Sequence, residues 1–157
     1  MDTSEVADLL SPLVTVSSST DDIKSILDDC DNIVYVDHGT TRVVIEIQNS
    51  SNSVYKVSHS SEGERANETE ANRFKASKSV GCEQLLLPVL DSGECSKRVK
   101  MPKLDAIPDI SREDPKNYHY GPESERIMDL LHENGICVSE VETGLYNGKA
   151  VAYDYGD

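Results

Sequence analysis

The stretch NIVYVDHGTTRVVIEIQNSSNSVYKVSH, residues 32–59, decides the fold of this 157-residue chain. β-Branched and polar residues alternate on both sides of HGTT, which is typical of β-strands. A third alternating segment, SNSVYKVSH, follows a polar break at 48–52. We therefore predict three strands in an antiparallel meander.

The segments after this meander switch between helical and strand patterns. EGERANETEANRFKASKSVG (62–81) has the spacing of a helix that stops at its final glycine. CEQLLLPVLDSGECSKRVKMPKLD (82–105) predicts two strands around the turn DSGE. GPESERIMDLLHENGIC (121–137) predicts a second helix, and LYNGKAVAY (145–153) predicts a hairpin because Asn-Gly is a strong two-residue turn signal. This order of elements predicts an α+β fold.

Two further segments complete the predicted organisation. The first thirty residues contain helical patterns over 3–12 and 20–29, and residues 105–121 combine prolines with little periodicity. We expect one compact unit, since the chain is too short for two ordinary domains. Its predicted parts are an N-terminal helical extension (1–30), a sheet with one helix (31–104), a linker (105–121) and a helix with a hairpin (122–157).

The composition limits the functional classes. A formal charge of −14, from 29 acidic and 15 basic residues, spreads along the chain and does not form a tail. Such an acidic surface argues against non-specific nucleic-acid binding. It suits a halophilic protein in a salt-rich cytosol, where repulsion is screened, although Lys outnumbers Arg. A halophilic protein and an ordinary acidic protein both remain open.

The cysteines and the N-terminus bear on location. Cys30, Cys82, Cys95 and Cys137 form no C-x-x-C pair, so they predict neither a zinc site nor a disulfide framework. We interpret them as buried free thiols in a reducing compartment. The N-terminus has no basic region and no long apolar run, which predicts neither a secretory signal nor a membrane span. We expect a cytoplasmic protein, or one inside a virus particle assembled there.

The order of polar motifs carries the functional hypothesis. A glycine-containing turn precedes Lys56 in a strand, Glu70 in a helix, a strand ending in Met-Pro, another helix, a hairpin and the triplet Asp-Tyr-Gly that begins at Asp154. Taken singly, a strand lysine is more often an edge or solvent-face residue, and a helix glutamate more often lies on a solvated helix face. In this order, over residues 31–157, the chain resembles a protein kinase in miniature, closest to short kinase-like proteins of archaea and their viruses.

The resemblance implies a kinase-like N-lobe, an antiparallel sheet plus one helix, followed by a minimal remnant of the C-lobe. It implies that Gly39 and Thr40 belong to the loop that covers the phosphates. It further implies that Lys56 contacts the nucleotide and that Glu70 pairs with Lys56.

The resemblance also implies two cofactors, ATP and Mg²⁺. The strand and hinge fall on RVKMPKLD, which places Met101 and Lys103 where backbone groups face an adenine edge. Asp154, the first residue of the triplet, is implied to be the metal ligand.

Four departures weaken the implied catalysis. The phosphate-covering loop has one glycine, Gly39, where several would let backbone amides approach a phosphate. The catalytic loop falls on ICVSEVETGLYNG, where the family has an Asp as base and, five residues later, an Asn as metal ligand. Here Glu140 replaces the Asp, and Leu145, which cannot bind Mg²⁺, replaces the Asn. Because the chain given stops at Asp157, we expect no activation segment and no peptide-binding lobe.

Three functional hypotheses follow. The first is a degenerate kinase-like module, a pseudokinase, that uses Lys56, Glu70 and Asp154 for any nucleotide and acts mainly through a protein partner. The second is a minimal active kinase or other phosphotransferase, with Glu140 as base and Asp154 as metal ligand. The third is a structural component of a virus particle or stable complex, in which Lys56 and Glu70 remain as an internal ion pair.

Overall fold

A computed structural model describes residues 33–48, 52–105 and 122–156, together with Ser25. The predicted helices over 3–12 and 20–29, apart from Ser25, and the predicted linker, apart from Asp105, lie outside these residues. The described residues divide into two compact units. One comprises those up to Glu68 and Val89–Pro102; the other comprises Thr69–Pro88 and those from Lys103 onward.

The first unit is built on a five-stranded antiparallel sheet with the strand order β1-β2-β3-β5-β4. The strands are β1 Ile33–His38, β2 Arg42–Ile47, β3 Ser53–Ser58, β4 Asp91–Ser92 and β5 Arg98–Pro102. The α+β class and the antiparallel meander β1-β2-β3 are therefore confirmed.

Cross-strand pairs of apolar side chains form the core of this sheet. Val43 and Ile45 of β2 lie directly opposite Val57 and Tyr55 of β3, and all four side chains are buried. Such opposed pairs are the main source of stability between neighbouring strands. The alternation of β-branched residues in the sequence thus places one continuous apolar row on one face.

The prediction of two strands over residues 82–105 is only partly correct. The first predicted strand is reduced to Asp91–Ser92, and Leu86, before it, makes an isolated parallel bridge to Ala152. Pro88 interrupts this apolar run, and a proline has no N–H to donate to a sheet ladder. The hydrophobic pattern alone therefore overestimated the length of β4.

Helix α1, Ser61–Val80, confirms the helix predicted over residues 62–81. Ser60 caps its first turn, because the Ser60 Oγ accepts the N–H of Gly63 at 3.1 Å. Gly81 follows the last turn with φ +76°, a left-handed conformation that glycine adopts without steric cost. Both helix ends are thus set by local sequence.

Gly63 lies against the turn between β1 and β2. A Cβ at this position would stand 2.3 Å from the carbonyl oxygen of Thr41, which also accepts the N–H of His59 at 3.1 Å. Gly39 is the glycine of this turn to which the sequence pattern pointed, yet a Cβ on Gly39 would come no closer than 3.9 Å to its nearest neighbour. The steric requirement for glycine therefore lies at Gly63.

A buried asparagine joins α1 to the sheet of the same unit. The Asn67 side chain is fully buried; its Oδ1 accepts Arg42 Nη1 at 3.3 Å, and its Nδ2 donates to the carbonyl of Ser96 at 2.9 Å. Ser96 has φ 55°, which is unfavourable for a residue with a Cβ. Asn67 therefore holds the left-handed turn between β4 and β5 in place.

The second unit contains helix α2 and a two-stranded hairpin, both predicted. The elements are α2 Pro122–Glu133, β6 Glu142–Tyr146 and β7 Lys149–Asp154. Asn147 and Gly148 have φ 50° and 73°, and two positive φ values are required by the type I′ turn that joins short hairpins. In the described ranges, no helix has the length and apolar character needed to cross a membrane.

The cysteines are less uniformly buried than expected. Cys82 is a buried free thiol, and its burial raises the pKa of the thiol. Cys95 and Cys137 are also free but exposed, so the expectation of buried thiols was wrong for these two. Cys30 lies outside the described residues.

Candidate functional site

Lys56 occupies a central strand. On β3 it lies opposite Val44 of β2 on one side and Val99 of β5 on the other, and only 6% of its surface is exposed. A lone strand lysine was expected at an edge or on a solvent face. Burying an ammonium group is costly unless it is paired, so this placement favours a specific role over a solvated surface position.

Glu70 is fully buried on α1 and contacts the Asp-Tyr-Gly triplet. Its Oε1 accepts the backbone N–H of Tyr155 at 3.2 Å. A carboxylate that accepts a backbone N–H makes a charge-assisted bond, which is stronger than a neutral one. The helix glutamate and the triplet, 85 residues apart in sequence, are thus joined directly.

Tyr155, the middle residue of the triplet, is anchored at three points. Besides the bond to Glu70, its carbonyl accepts Arg73 Nη1, and its hydroxyl donates to the carbonyl of Leu87 at 2.8 Å. Burial, with added repulsion from the carboxylates of Glu70 and Asp154, raises the pKa of the Tyr155 hydroxyl far above its ordinary value. The hydroxyl therefore remains a neutral donor.

We call the pair of contacts from Glu70 and Arg73 to the Tyr155 backbone the Tyr155 clamp. The sequence pattern pointed to Glu70 but not to Arg73. The only local signal for Arg73 is its spacing, because residues three apart share one face of a helix.

The Tyr155→Phe substitution is expected to destabilise the protein by about 1–2 kcal/mol, because the buried carbonyl of Leu87 loses its donor. Urea denaturation would measure the loss. The tyrosine hydroxyl ionises near pH 10 in the unfolded state but resists ionisation in the folded state. The stabilisation that it provides is therefore complete below pH 10 and is lost progressively as the pH rises above 10. The difference between the two proteins should accordingly shrink above pH 10; a constant difference would contradict this account.

Asp154, the implied metal ligand, is the last residue of β7 and is half-buried opposite Glu142 of β6. Leu145 is exposed on β6 and has no oxygen to offer in its side chain. Within the described ranges, no group of three or more His, Cys, Asp or Glu side chains is arranged to hold a metal. Mg²⁺ is commonly bound by one or two carboxylates together with phosphate oxygens. Binding of Mg²⁺ by Asp154 stays a prediction.

Glu140, in the implied base position, is half-buried in the segment between α2 and β6. Two residues earlier the backbone is held by His132, whose Nε2 lies 2.9 Å from the carbonyl oxygen of Val138 and 3.3 Å from its nitrogen. No motif in the sequence pointed to His132. This contact from the end of α2 restrains the segment that carries Glu140.

Gly39 and Thr40 lie exposed in the β1–β2 turn. The Gly39 N–H donates to the carbonyl of Arg42 at 2.8 Å, so it is engaged within the turn. Anion-binding loops instead direct successive backbone amides at the ligand. Phosphate contact by Gly39 and Thr40 stays a prediction.

The implied adenine-facing residues lie at and beyond the end of β5. Met101 is fully buried opposite Val54 of β3, so its side chain packs in the core and only its backbone could face a ligand. Lys103 is exposed just after the strand. Adenine recognition by Met101 and Lys103 stays a prediction.

The residues that the resemblance implies belong to different units. Lys56 and Gly39 belong to the first unit, and Glu70, Glu140 and Asp154 belong to the second. Within the second unit, the structure joins Glu70 to the residue next to Asp154.

No protein-family model matches the chain, and neither a curated protein nor a solved structure does.

Proposed function

We propose that this protein is a degenerate kinase-like module, a pseudokinase, that binds an adenine nucleotide with Mg²⁺ and acts mainly through a protein partner. Protein kinases carry their nucleotide-contacting Lys on the third strand and the partner Glu on the following helix. Lys56 on β3 and Glu70 on α1 have these places, and β7 leads directly into the Asp-Tyr-Gly triplet. This order within an antiparallel sheet and hairpin supports the proposal.

The observation that carries the proposal is the bond between Glu70 Oε1 and the N–H of Tyr155. If Glu70 faced solvent, the kinase-like order of the motifs would be better explained as a coincidence. Instead it is fully buried and holds the residue next to the implied metal ligand, Asp154. Glu70 and the Asp-Tyr-Gly triplet, two motifs that the resemblance relates in function, are thus in direct contact.

The residues present support nucleotide binding more readily than catalysis. Lys56 would neutralise phosphate charge, and Asp154 would bind Mg²⁺, which supplies further neutralisation when bound. Glu140 is one methylene longer than an aspartate base, and a misplacement of about 1 Å can cost on the order of a hundredfold in rate. Leu145 adds no metal ligand. We therefore expect nucleotide binding with little or no turnover.

Thermal denaturation with ATP, with and without Mg²⁺, tests the proposal in a high-salt buffer. At a hundredfold excess over Kd, a ligand specific for the folded state adds about 2.7 kcal/mol, which is several degrees for a chain of this size. The shift should require Mg²⁺ and should disappear in both Lys56→Ala and Asp154→Ala. Lys149→Ala, which removes an exposed charge in the hairpin, is the matched control and should retain it.

The other outcomes separate the alternatives. Mg²⁺-dependent ATP turnover that is lost in Asp154→Ala would identify an active phosphotransferase. No shift at millimolar ATP, together with a partner bound in fixed stoichiometry, would contradict nucleotide binding and favour a structural component of a particle or complex.

A further inference from the structure

Arg73 makes a contact in the second unit that the kinase resemblance does not account for. It lies one helical turn after Glu70 on α1, and the two side chains take both backbone polar groups of Tyr155: Glu70 accepts the N–H and Arg73 donates to the carbonyl. Two side chains from one rigid helix therefore restrain the peptide groups on both sides of the same residue.

We infer that Arg73 is a positioning residue that, together with Glu70, sets the direction in which the neighbouring Asp154 presents its carboxylate. The peptide group that Glu70 contacts joins Asp154 to Tyr155, so a change in its plane rotates the backbone of Asp154. Arg73 restrains the next peptide group and thereby limits rotation about Tyr155 itself. The role assigned to Asp154 rests on the proposed function, whereas the restraint of the triplet does not.

The direction in which Mg²⁺ binding changes when Arg73 is removed separates a positioning role from a purely electrostatic one. A guanidinium near a cation site repels the cation, so its removal should strengthen Mg²⁺ binding if charge is all that matters. If Arg73 positions Asp154, its removal should weaken Mg²⁺ binding despite the lost repulsion. The two accounts therefore predict opposite changes.

The primary test is residue-resolved amide hydrogen exchange on the full chain without ligand, for Arg73→Met, Arg73→Lys and the control Lys75→Met. Lys75 is exposed on the same helix, so its substitution removes the same charge without touching the Tyr155 clamp. In Arg73→Met we expect the Tyr155 amide to exchange roughly tenfold faster, although its acceptor Glu70 is unchanged. The Ile127 amide of α2 should keep its rate, and Arg73→Lys should be intermediate.

The second measurement is the ratio of ATP Kd values without and with Mg²⁺. We expect this ratio to fall about tenfold in Arg73→Met and to recover partly in Arg73→Lys. An unchanged Tyr155 exchange rate would overturn the inference, as would an unchanged or larger Mg²⁺ effect in Arg73→Met. If Tyr155 exchange rises but the native protein binds no nucleotide, the restraint by Arg73 is supported and the proposed function fails. Should Arg73→Met not fold, Arg73→Lys decides instead, because it keeps the charge and shortens the reach. Electrostatics alone then predicts an unchanged Mg²⁺ effect and an unchanged Tyr155 exchange rate, whereas positioning predicts a smaller Mg²⁺ effect and faster exchange.

Discussion

Glu70→Ala is expected to destabilise the protein by about 3 kcal/mol or more. The substitution leaves the buried N–H of Tyr155 without its acceptor and removes a fully buried side chain, and each loss is costly by itself. For a chain of this length the melting temperature should fall by roughly 10 °C. Urea unfolding monitored by circular dichroism would measure the change.

Glu70→Gln is the matched control for this prediction. Its side-chain carbonyl has the same reach as the carboxylate and can still accept the Tyr155 N–H, so less than half of the destabilisation is expected. If the Gln variant is as unstable as the Ala variant, the carboxylate charge, and not the bond to Tyr155, determines the stability. Loss of the Mg²⁺-dependent ATP shift in Glu70→Ala under conditions where the variant is folded would further connect this residue to the proposed function.

Gly63→Ala is expected to destabilise the protein by about 2–3 kcal/mol, against the ordinary preference of helices for alanine. Alanine stabilises an exposed helical position by about 1 kcal/mol relative to glycine. Here its Cβ would lie 2.3 Å from the carbonyl oxygen of Thr41, and the turn between β1 and β2 would have to move away from α1. Chemical denaturation would give the free energy of unfolding.

Gly39→Ala, in the β1–β2 turn against which Gly63 packs, provides the comparison. A Cβ on Gly39 has its nearest neighbour at 3.9 Å, so a change of no more than about 0.5 kcal/mol is expected. A stabilised Gly63→Ala protein would show that the close approach of α1 to Thr41 is not required for the fold. Equal losses in the two variants would also contradict the prediction.

Patterns over a few residues were sufficient for much of the fold. The β-branched alternation around Gly39 predicted β1 and β2, and the Asn147-Gly148 pair predicted the hairpin turn that the structure has. The helix that stops at Gly81 was predicted from the same kind of local signal. These elements depend on side-chain periodicity and backbone preferences, which act between neighbours along the chain.

The same patterns were less reliable where tertiary pairing decided the outcome. The apolar run before Asp91 suggested a full strand, but Pro88 interrupts it and the paired part is two residues long. Lys56 was expected at a sheet edge or on a solvent face because local sequence patterns do not reveal that β5 pairs with β3. That pairing, with β4 at the edge, makes β3 a central strand.

By itself the sequence determined the α+β class, the meander, both described helices, the hairpin and the order of the motifs that resemble a kinase. Only the tertiary structure decided that Glu70 binds Tyr155, that Arg73 completes the clamp, and that packing of α1 against the β1–β2 turn requires Gly63. The physical reason is the range of the interactions. Helix and strand periodicity is local, whereas the contact of Tyr155 with Arg73 joins residues 82 apart, and it forms only once the chain topology brings them together.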